Sequence, residues 1–328
     1  MKVLYITSGF PGIYQFFDNC IVNEMNNDDH ICKSFNHFQG IDSLKLIVLK
    51  FEPDLVFTLT GFILPKEMTD WLRSKNIKLA VWMTEDPYYM DTSIGLASHY
   101  DYVFTIDSSS LEVYREKGHP NVYLLPLGTD PNIFSPKPNV DEQQINDICL
   151  VGYPYPERID IINLLLKETS YTVQVVGGNW KDNLLQWSEN KQLKIIDWSP
   201  PDTVAYYYNN AKIILNTHRP HDLAENQNSM GIINSSINNR TFDVAASGAF
   251  QLISYKPDLR NYFTEEEMVS FQKEEDLLNK IDHFMKHKEE RKKIAVSARE
   301  KVLNQHTFLH RTKEIISTVK ESGIDFLA

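Results

Sequence analysis

The feature that most constrains this chain is an alternation of short apolar runs and helix-compatible stretches that occurs twice. In the N-terminal part, runs such as KVLYIT and KLAVWMTED alternate with stretches that have helical spacing. The alternation starts again with DICLVG and continues through KIILNTH. Such alternation is typical of βαβ units, whose parallel sheet is covered by helices on both faces. We therefore predict an α/β protein with two Rossmann-like α/β/α domains facing across a cleft, a usual place for ligands.

A segment without apolar periodicity separates the two halves. The stretch TDPNIFSPKPNVDEQQIND is rich in proline and polar residues, which is typical of an interdomain linker. We place an N-terminal domain at 1–135, a linker at 136–146, a C-terminal domain at 147–305 and a C-terminal helix at 306–328.

Composition and charge narrow the class of protein. The 328 residues are 42% hydrophobic and 23% charged, which is typical of a globular protein. The net charge of −11 argues against a nucleic-acid or anionic-membrane binder. No apolar run is long enough for a transmembrane segment, and no signal peptide is evident. The three cysteines, Cys20, Cys32 and Cys149, form no CxxC pair, so we expect a reduced, cytoplasmic protein without a disulfide framework.

Two glycine-bearing turns follow predicted strands and precede predicted helices. Gly9 and Gly12 lie in TSGFPG, where backbone N–H groups could receive an anion, although a tight turn explains the same residues. The motif is neither GxGxxG nor a P-loop, so a dehydrogenase is disfavoured. In VGYPYPERID, Gly152 allows a sharp exit from a strand and Arg158 lies near a helix start. An arginine in that position suits a diphosphate.

Two carboxylates end one of the N-terminal strands. Glu85 and Asp86 follow the apolar run in WMTEDPYYM, at the strand end where open α/β sheets place functional groups. Adjacent residues on an extended chain point to opposite sides, so they are not expected to act as a close pair. Either of them is a candidate catalytic residue, and a turn cap by Asp86 before Pro87 is the structural alternative.

The most informative segment begins at KIILNTH and ends at GAFQL. After His218 it runs through a long polar loop, which is costly unless it is mobile or lines a site. The helix that follows begins with Asn239 and Arg240, and Asp243 lies one turn in. An aspartate there could accept two ribose hydroxyls, and the arginine could meet phosphate. His218 and His221 have no evident third ligand and no DxD occurs, so no metal site is predicted.

Three segments together resemble one known family, and the resemblance covers most of the chain. LPLGTDPNIF is similar to the PxGxDxxxF segment of group-1 glycosyltransferases of the GT-B fold, and VQVVGGNW is similar to their VxGxxW turn. NNRTFDVAASGAFQLIS is similar to the N-x-R-x-F-E-x-x-A-x-G-x-x-L signature of the spore-maturation, CgeB-like branch. The resemblance implies transfer of a sugar from a nucleotide-sugar donor, a UDP- or dTDP-sugar, to a glycan, protein or small-molecule acceptor. It also implies a retaining, metal-independent reaction without a further cofactor.

The resemblance also implies roles for particular residues. Asp243 stands where the broader family has a ribose-binding glutamate, and Arg158 and Arg240 stand where positive charge neutralises the diphosphate. Glu85 or Asp86 would bind or activate the acceptor. The family's Glu-x7-Glu pair is incomplete, because its first position falls in NSMGIINSS, which has no carboxylate. The last helix would pack back on the N-terminal domain.

Other functions are compatible with the same residues. The incomplete acidic pair is compatible with a non-catalytic nucleotide-sugar-binding protein or a structural protein of a spore coat. A two-domain epimerase or phosphorylase is a third possibility, although no lysine context for pyridoxal phosphate is evident. As a transferase, the protein would act in spore-surface or cell-surface glycan assembly, in the mother-cell cytoplasm or associated with the spore. The sequence does not indicate an oligomeric state.

Overall fold

A computed structural model describes residues 1–27, 30–137 and 146–322. Contacts divide the chain into two compact units. The first unit is built from Met1–Gly128, His221–Ser236 and the last helix, and the second from Thr129–Pro220 and Ile237–Thr307. Most of the predicted linker, 138–145, lies outside the described residues. No helix in the described ranges combines the length and the hydropathy that a bilayer crossing requires.

The strands and helices of the described residues follow the predicted alternation. The strands are β1 (Lys2–Ile6), β2 (Ile31–Phe35), β3 (Leu55–Leu59), β4 (Lys78–Met83), β5 (Tyr102–Thr105), β6 (Val122–Leu124), β7 (Asn146–Val151), β8 (Val173–Val176), β9 (Leu193–Ile196), β10 (Ala211–Asn216), β11 (Gln251–Ser254) and β12 (Val269–Phe271). The helices are α1 (Ile13–Asn27), α2 (Ile41–Phe51), α3 (Lys66–Ser74), α4 (Met90–Ala97), α5 (Ser108–Glu116), α6 (Pro156–Glu168), α7 (Trp180–Asn183), α8 (Pro201–Asn209), α9 (Arg240–Ala246), α10 (Leu259–Tyr262), α11 (Glu274–Lys286), α12 (Lys288–Gln305) and α13 (Phe308–Glu321).

The first unit is a parallel sheet with a hydrophobic core on each face. Its strand order is β2-β1-β3-β4-β5-β6, and every pairing is parallel. Side chains alternate between the faces along β1: Val3 and Tyr5 join one buried cluster, whereas Leu4 and Ile6 join the other. Because both faces are covered, the strands are continuous apolar runs, as the sequence predicted.

The second unit is a parallel sheet with the order β12-β11-β10-β7-β8-β9. From the centre of the sheet, β7, β8 and β9 follow one another towards one edge. The strands β10, β11 and β12 follow one another towards the opposite edge. The direction of winding therefore reverses between β7 and β10, which pair directly. In open α/β sheets, ligands bind outside the carboxyl ends of the strands at such a switch point.

Several local features differ from the sequence-based expectations. The strands β2 and β12, at the edges of the two sheets, were not predicted, because both are short and mix polar with apolar residues. Ser108 and Ser109 have the side chains of typical helix caps, but neither of them caps α5. Asp107 caps the helix, and its carboxylate accepts hydrogen bonds from the N–H groups of Ser109 and Ser110 at 3.0 and 3.2 Å. A carboxylate at the N-cap satisfies two of the helix's unpaired donors.

The polar segment His221–Ser236 belongs by its contacts to the first unit. Asp107, 1% exposed, uses its second carboxylate oxygen to accept the N–H groups of Ser235 and Ser236 at 2.9 and 3.0 Å. Asp91 accepts from the N–H and the hydroxyl of Ser229. Two carboxylates of the first unit therefore accept three backbone N–H groups of this segment, which helps to hold a stretch with few apolar side chains in place.

Candidate active site

The candidate site of the second unit lies at the carboxyl ends of β7 and β10. Gly152 is the first residue after β7, with φ +146°, and Thr217 is the first after β10. A Cβ atom at Gly152 would lie 2.5 Å from Nη1 of Arg158 and 3.4 Å from Cζ of Arg240. The Arg158 guanidinium thus approaches this turn so closely, at a φ that other residues rarely adopt, that only glycine fits there. The structure therefore brings together three candidate residues, Gly152, Arg158 and Arg240, that lie far apart in the sequence.

The two arginines differ in how far their donors are already used. Arg158 is 1% exposed; its Nε and Nη2 donate to the hydroxyl and the carbonyl of Thr217, and its Nη1 donates to the carbonyl of Tyr153, each at 2.8 Å. Arg240 is half-buried, and its Nη1 lies 3.5 Å from Oδ1 of Asn216. The geometry therefore favours Arg158 as the residue that holds the two strand ends together and Arg240 as the cation presented to a ligand.

His218 is a buried histidine that carries no charge in this site. Its Nδ1 lies 2.8 Å from the hydroxyl of Ser254. Burial lowers the pKa of His218 well below its ordinary value, and the positive charges of Lys256, Arg240 and Arg158 lower it further. Within the described part of the chain, its Nε2 has no hydrogen-bond partner. A buried polar nitrogen without a partner is costly, which points to a ligand atom at this position.

Asp243 is a buried carboxylic acid in the first turn of α9. It is 4% exposed, and its Oδ2 accepts a hydrogen bond from the amide of Asn239 at 3.2 Å. Burial raises the pKa of Asp243 to about 7, and the side chains of Thr129 and Arg240 oppose that rise. The group therefore changes charge near neutral pH, which is more often seen at functional sites than at structural ones.

A buried network of side-chain amides, which was not predicted from the sequence, positions α9. The side-chain nitrogen of Asn216 lies 3.2, 3.1 and 3.1 Å from oxygen atoms of Asn238, Thr241 and Gln251, which share its two N–H groups. Asn238 donates in turn to the carbonyl of Thr217 at 3.1 Å. These residues fix the start of α9 against β10 and β11. The sequence feature that could have indicated this network is the asparagine at the end of the apolar run KIILN, because a buried amide needs several hydrogen-bond partners.

Gly9 and Gly12 lie in the first unit, in the turn between β1 and α1. Both have left-handed backbones, with φ +80° and +70°. Asp18 of α1 holds this turn in place. Its carboxylate accepts hydrogen bonds from the N–H and the hydroxyl of Ser8 and from the hydroxyl of Tyr5. The turn is therefore a rigid one closed by a buried carboxylate. An anion-binding role for its glycines remains a prediction.

Glu85 is the accessible carboxylate at the end of β4. It is half-buried, and its Oε1 accepts a hydrogen bond from the hydroxyl of Tyr14 on α1. That hydroxyl also lies 3.1 Å from Thr84 Oγ1. Burial and the Glu85 charge raise the pKa of Tyr14 well above its ordinary value, so the phenol stays protonated and continues to donate. Tyr14 thus orients the Glu85 carboxylate, a role that the sequence did not suggest.

Asp86 points into the interior instead. It is 1% exposed, and its Oδ2 accepts hydrogen bonds from Thr105 at 2.8 Å and from Tyr114 at 2.9 Å. Burial raises the pKa of Asp86 to about 7. A carboxyl group enclosed in this way cannot meet an acceptor, so we do not retain Asp86 among the catalytic candidates. Its role is structural, but it is not the predicted turn cap.

Replacing Asp86 by asparagine is expected to stabilise the protein at alkaline pH. The folded-state pKa of about 7 exceeds the ordinary value of 3.8, so the native protein loses stability as the pH rises towards 7. The neutral amide avoids that loss and can still accept from Thr105 and Tyr114. The free energy of unfolding of Asp86→Asn, measured relative to that of the native protein, should therefore increase by about 2 kcal/mol between pH 5 and pH 8.

Urea titrations at several pH values measure this gain. Asp42→Asn, which changes an exposed carboxylate of α2 whose side chain is 90% exposed, is the matched control and should show no such trend. Equal pH dependence in the Asp86→Asn variant and the native protein would show that this carboxyl is not the one being titrated.

The fold and part of the sequence match known proteins. Residues 158–317 match a family model described as glycosyl transferase-like. Sucrose-phosphate synthase from Thermosynechococcus elongatus is 11% identical, with a TM-score of 0.71 over 99% of this chain and 100% of that chain. The Anabaena protein HepE, solved in complex with UDP-glucose, is 12% identical, with a TM-score of 0.69 over 98% of this chain and 100% of that chain.

Two parallel α/β units and a glycosyl transferase-like match define the class of protein as a glycosyltransferase of the GT-B fold. The chain is also 35% identical over 317 residues to the spore protein CgeB of Bacillus subtilis strain 168, covering 94% of this chain and 95% of that relative. It belongs to the CgeB-like family of glycosyltransferases. The predicted fold class, family and enzyme class are thereby confirmed.

Proposed function

We propose that this protein transfers a sugar from a nucleoside-diphosphate sugar, a UDP- or dTDP-sugar, to an acceptor hydroxyl. The observation that supports the proposal most is the arrangement of Gly152, His218, Arg240 and Asp243 around the ends of β7 and β10. These residues offer a cation, a partnerless imidazole nitrogen and a carboxylate at the switch point of the sheet. HepE, which shares the fold, was solved with UDP-glucose, and a uridine donor is the first candidate.

In this proposal the second unit binds the donor. Asp243, as a carboxylate, accepts hydrogen bonds from the two ribose hydroxyls. Arg240 neutralises the diphosphate, and Gly152 lets the guanidinium of Arg158 lie against the end of β7, because a side chain there would displace it. Arg158 contributes indirectly, since it holds Thr217 and Tyr153 in place. A guanidinium and fixed dipoles that stabilise the charge of the leaving group lower the barrier to transfer.

His218 is proposed to bind an oxygen of the donor. The Ser254 hydroxyl can donate to Nδ1, at 2.8 Å, which leaves the proton of the neutral ring on Nε2. An Nε2–H group is a donor suited to a phosphate or sugar oxygen. Because the pKa of His218 is lowered, this donor is present across the neutral pH range without adding a charge.

The reaction would break the bond between the anomeric carbon and the phosphate oxygen and form a bond from that carbon to the acceptor oxygen. The nucleoside diphosphate leaves with the electron pair of the broken bond, and its departing phosphate oxygen takes up the proton that the acceptor hydroxyl loses. We propose that Glu85, oriented by Tyr14, binds the acceptor hydroxyl. We also propose a retaining, metal-independent reaction without a further cofactor, as the family resemblance implies. Turnover that persists with a chelator present and a product with the donor's anomeric configuration would support these two points; inversion or a metal requirement would refute them.

Calorimetric titration with UDP, dTDP, GDP and CMP tests donor binding directly. Binding of UDP or dTDP that is weakened in Arg240→Ala and retained in Arg73→Ala would support the proposal. The control arginine lies in the last turn of α3, in the first unit. No binding of any of the four compounds would refute a nucleotide-dependent function.

One observation favours a second function, a non-catalytic nucleotide-sugar-binding protein of the spore coat. The polar segment has no carboxylate in NSMGIINSS, where the family's acidic pair begins, and the relative CgeB is described as a spore protein. Donor turnover separates the two functions. Release of UDP from UDP-glucose that disappears in Glu85→Gln or Arg240→Ala would establish catalysis, whereas tight donor binding without any turnover would favour the scaffold.

We further propose that the enzyme acts in the mother-cell cytoplasm or on the spore, in the assembly of surface glycans. The match to a spore protein supports this setting. Comparing the sugar composition of spore surfaces from strains with and without the gene is the test. Identical composition would refute a role in surface glycans.

A further inference from the structure

The corner between α11 and α12 carries a cluster that has no part in the proposed transfer reaction. His283 lies in α11, His287 joins the two helices, and Glu290 lies in the first turn of α12. One nitrogen of each histidine and one carboxylate oxygen all lie within 4.8 Å of one another. All three residues are exposed, so a solvated ion could reach them. Two imidazoles and a carboxylate are ligands that zinc prefers.

The spacing of the histidines directs both rings to one side of the corner. Residues four apart on a helix lie one above the other. The rings of His283 and His287 are stacked, with centroids 4.0 Å apart and planes inclined by 17°. Because the lone pair of an imidazole lies in the plane of its ring, the exposed rings must turn out of this stack before both can bind one ion at metal–nitrogen distances of about 2.0–2.1 Å.

Hydrogen bonds determine which ring nitrogens are free to bind a metal ion. His287 Nδ1 lies 2.6 Å from the carbonyl oxygen of His283, and since a carbonyl only accepts, this nitrogen carries the proton. The lone pair of His287 is therefore on Nε2. A ring fixed in this way by its second nitrogen is the usual arrangement of a metal-ligating histidine. His283 Nε2 lies 2.8 Å from Glu290 Oε2, so an ion would replace the proton between them.

The helices that carry these ligands are anchored on their other sides. Arg291, next to Glu290, is 9% exposed and donates from Nη1 to the carbonyls of Phe284 and Met285, at the end of α11. Lys286, beside His287, is paired with Asp282 at 2.6 Å, which reduces its repulsion of a cation. The ligand positions are therefore held by a packed corner, which lowers the ordering cost of binding.

We propose that His283, His287 and Glu290 form a binding site for a divalent late first-row cation, with Zn²⁺ as the ion that suits these ligands best. Water would complete a tetrahedral coordination, because three protein ligands leave one position open. The bound ion would join the end of α11 to the start of α12. The proposal does not depend on the identity of the sugar donor.

Zn²⁺ titration of the full chain, in competition with a chromogenic chelator, tests the proposal. One ion per chain is expected. Its affinity should fall by at least about tenfold in His283→Ala and in His287→Ala, and by about tenfold in Glu290→Gln. Co²⁺, used as a visible probe, should give the absorption of a tetrahedral site in the native protein and lose it in the His283→Ala/His287→Ala double variant.

Two controls make the result specific. Glu289→Gln removes the neighbouring exposed carboxylate of α12, and His221→Ala removes a half-buried histidine of the first unit. Both should bind Zn²⁺ as the native protein does. Unchanged affinity in the double variant, or the same loss in the two controls, would overturn the proposal. UDP binding measured on the same double variant should be native, so failure of this site is distinguishable from failure of the donor site.

Discussion

Asp243→Ala is expected to weaken the binding of a nucleoside diphosphate by roughly 10²–10⁴-fold, because two hydrogen bonds to a carboxylate are lost at about 1.5–3 kcal/mol each. Asp243→Glu, which restores the side chain of the broader family, should recover part of the affinity. Asp202→Ala, at an exposed position in the first turn of α8, is the matched control and should bind normally. Calorimetric titration with UDP measures all three variants. Native affinity in Asp243→Ala would exclude this carboxylate from the donor site.

The same carboxyl group should make donor binding depend on pH. Its pKa in the free protein is raised to about 7 by burial, and only the ionised form accepts from both ribose hydroxyls. Affinity should therefore fall by roughly tenfold from pH 8 to pH 6, and the fall should be absent in Asp243→Asn. An equally steep pH dependence in that variant would assign it to another group, such as the phosphate of the ligand.

Arg158→Ala is expected to lower the free energy of unfolding by about 3–5 kcal/mol. The change removes the three hydrogen bonds that the guanidinium donates to Tyr153 and Thr217, and it opens a buried cavity at the ends of β7 and β10. Arg158→Lys should recover only part of the loss, because an ammonium group cannot reach three acceptors with the geometry of a guanidinium. Urea unfolding measures the effect. Native stability together with a large loss of UDP affinity would show that this arginine binds phosphate directly.

The sheets were largely predictable because most of their strands are buried on both faces. A strand such as Leu55–Leu59, with every residue buried, is an apolar run in the sequence. The edge strand Ile31–Phe35 mixes buried and exposed residues without regular alternation, and it is too short to be recognised. The sequence also could not show that α5 is capped by Asp107, since Ser108 and Ser109 are equally good caps on composition alone.

The chemical types at the candidate site were predictable, but their environments were not. Arg158, Arg240 and Asp243 were identified from turns and from a family signature. Whether a guanidinium faces a ligand or the protein depends on partners such as Thr217, which is 59 residues away in the chain. The buried position of Asp86 likewise depends on Thr105 and Tyr114. Long-range partners of this kind leave no local periodicity in the sequence.

The packing of α13 on α1 affects the order in which the chain can fold during synthesis. Phe17 and Ile21 of α1 share a buried cluster with Phe308, Ile315 and Ile316 of α13. The ribosome makes α13 almost three hundred residues after α1, so this apolar face of the nascent chain stays uncovered for most of translation. The second unit needs no residue beyond Thr307. The second unit can therefore complete its core first, whereas the core of the first unit is completed only when α13 has been synthesised.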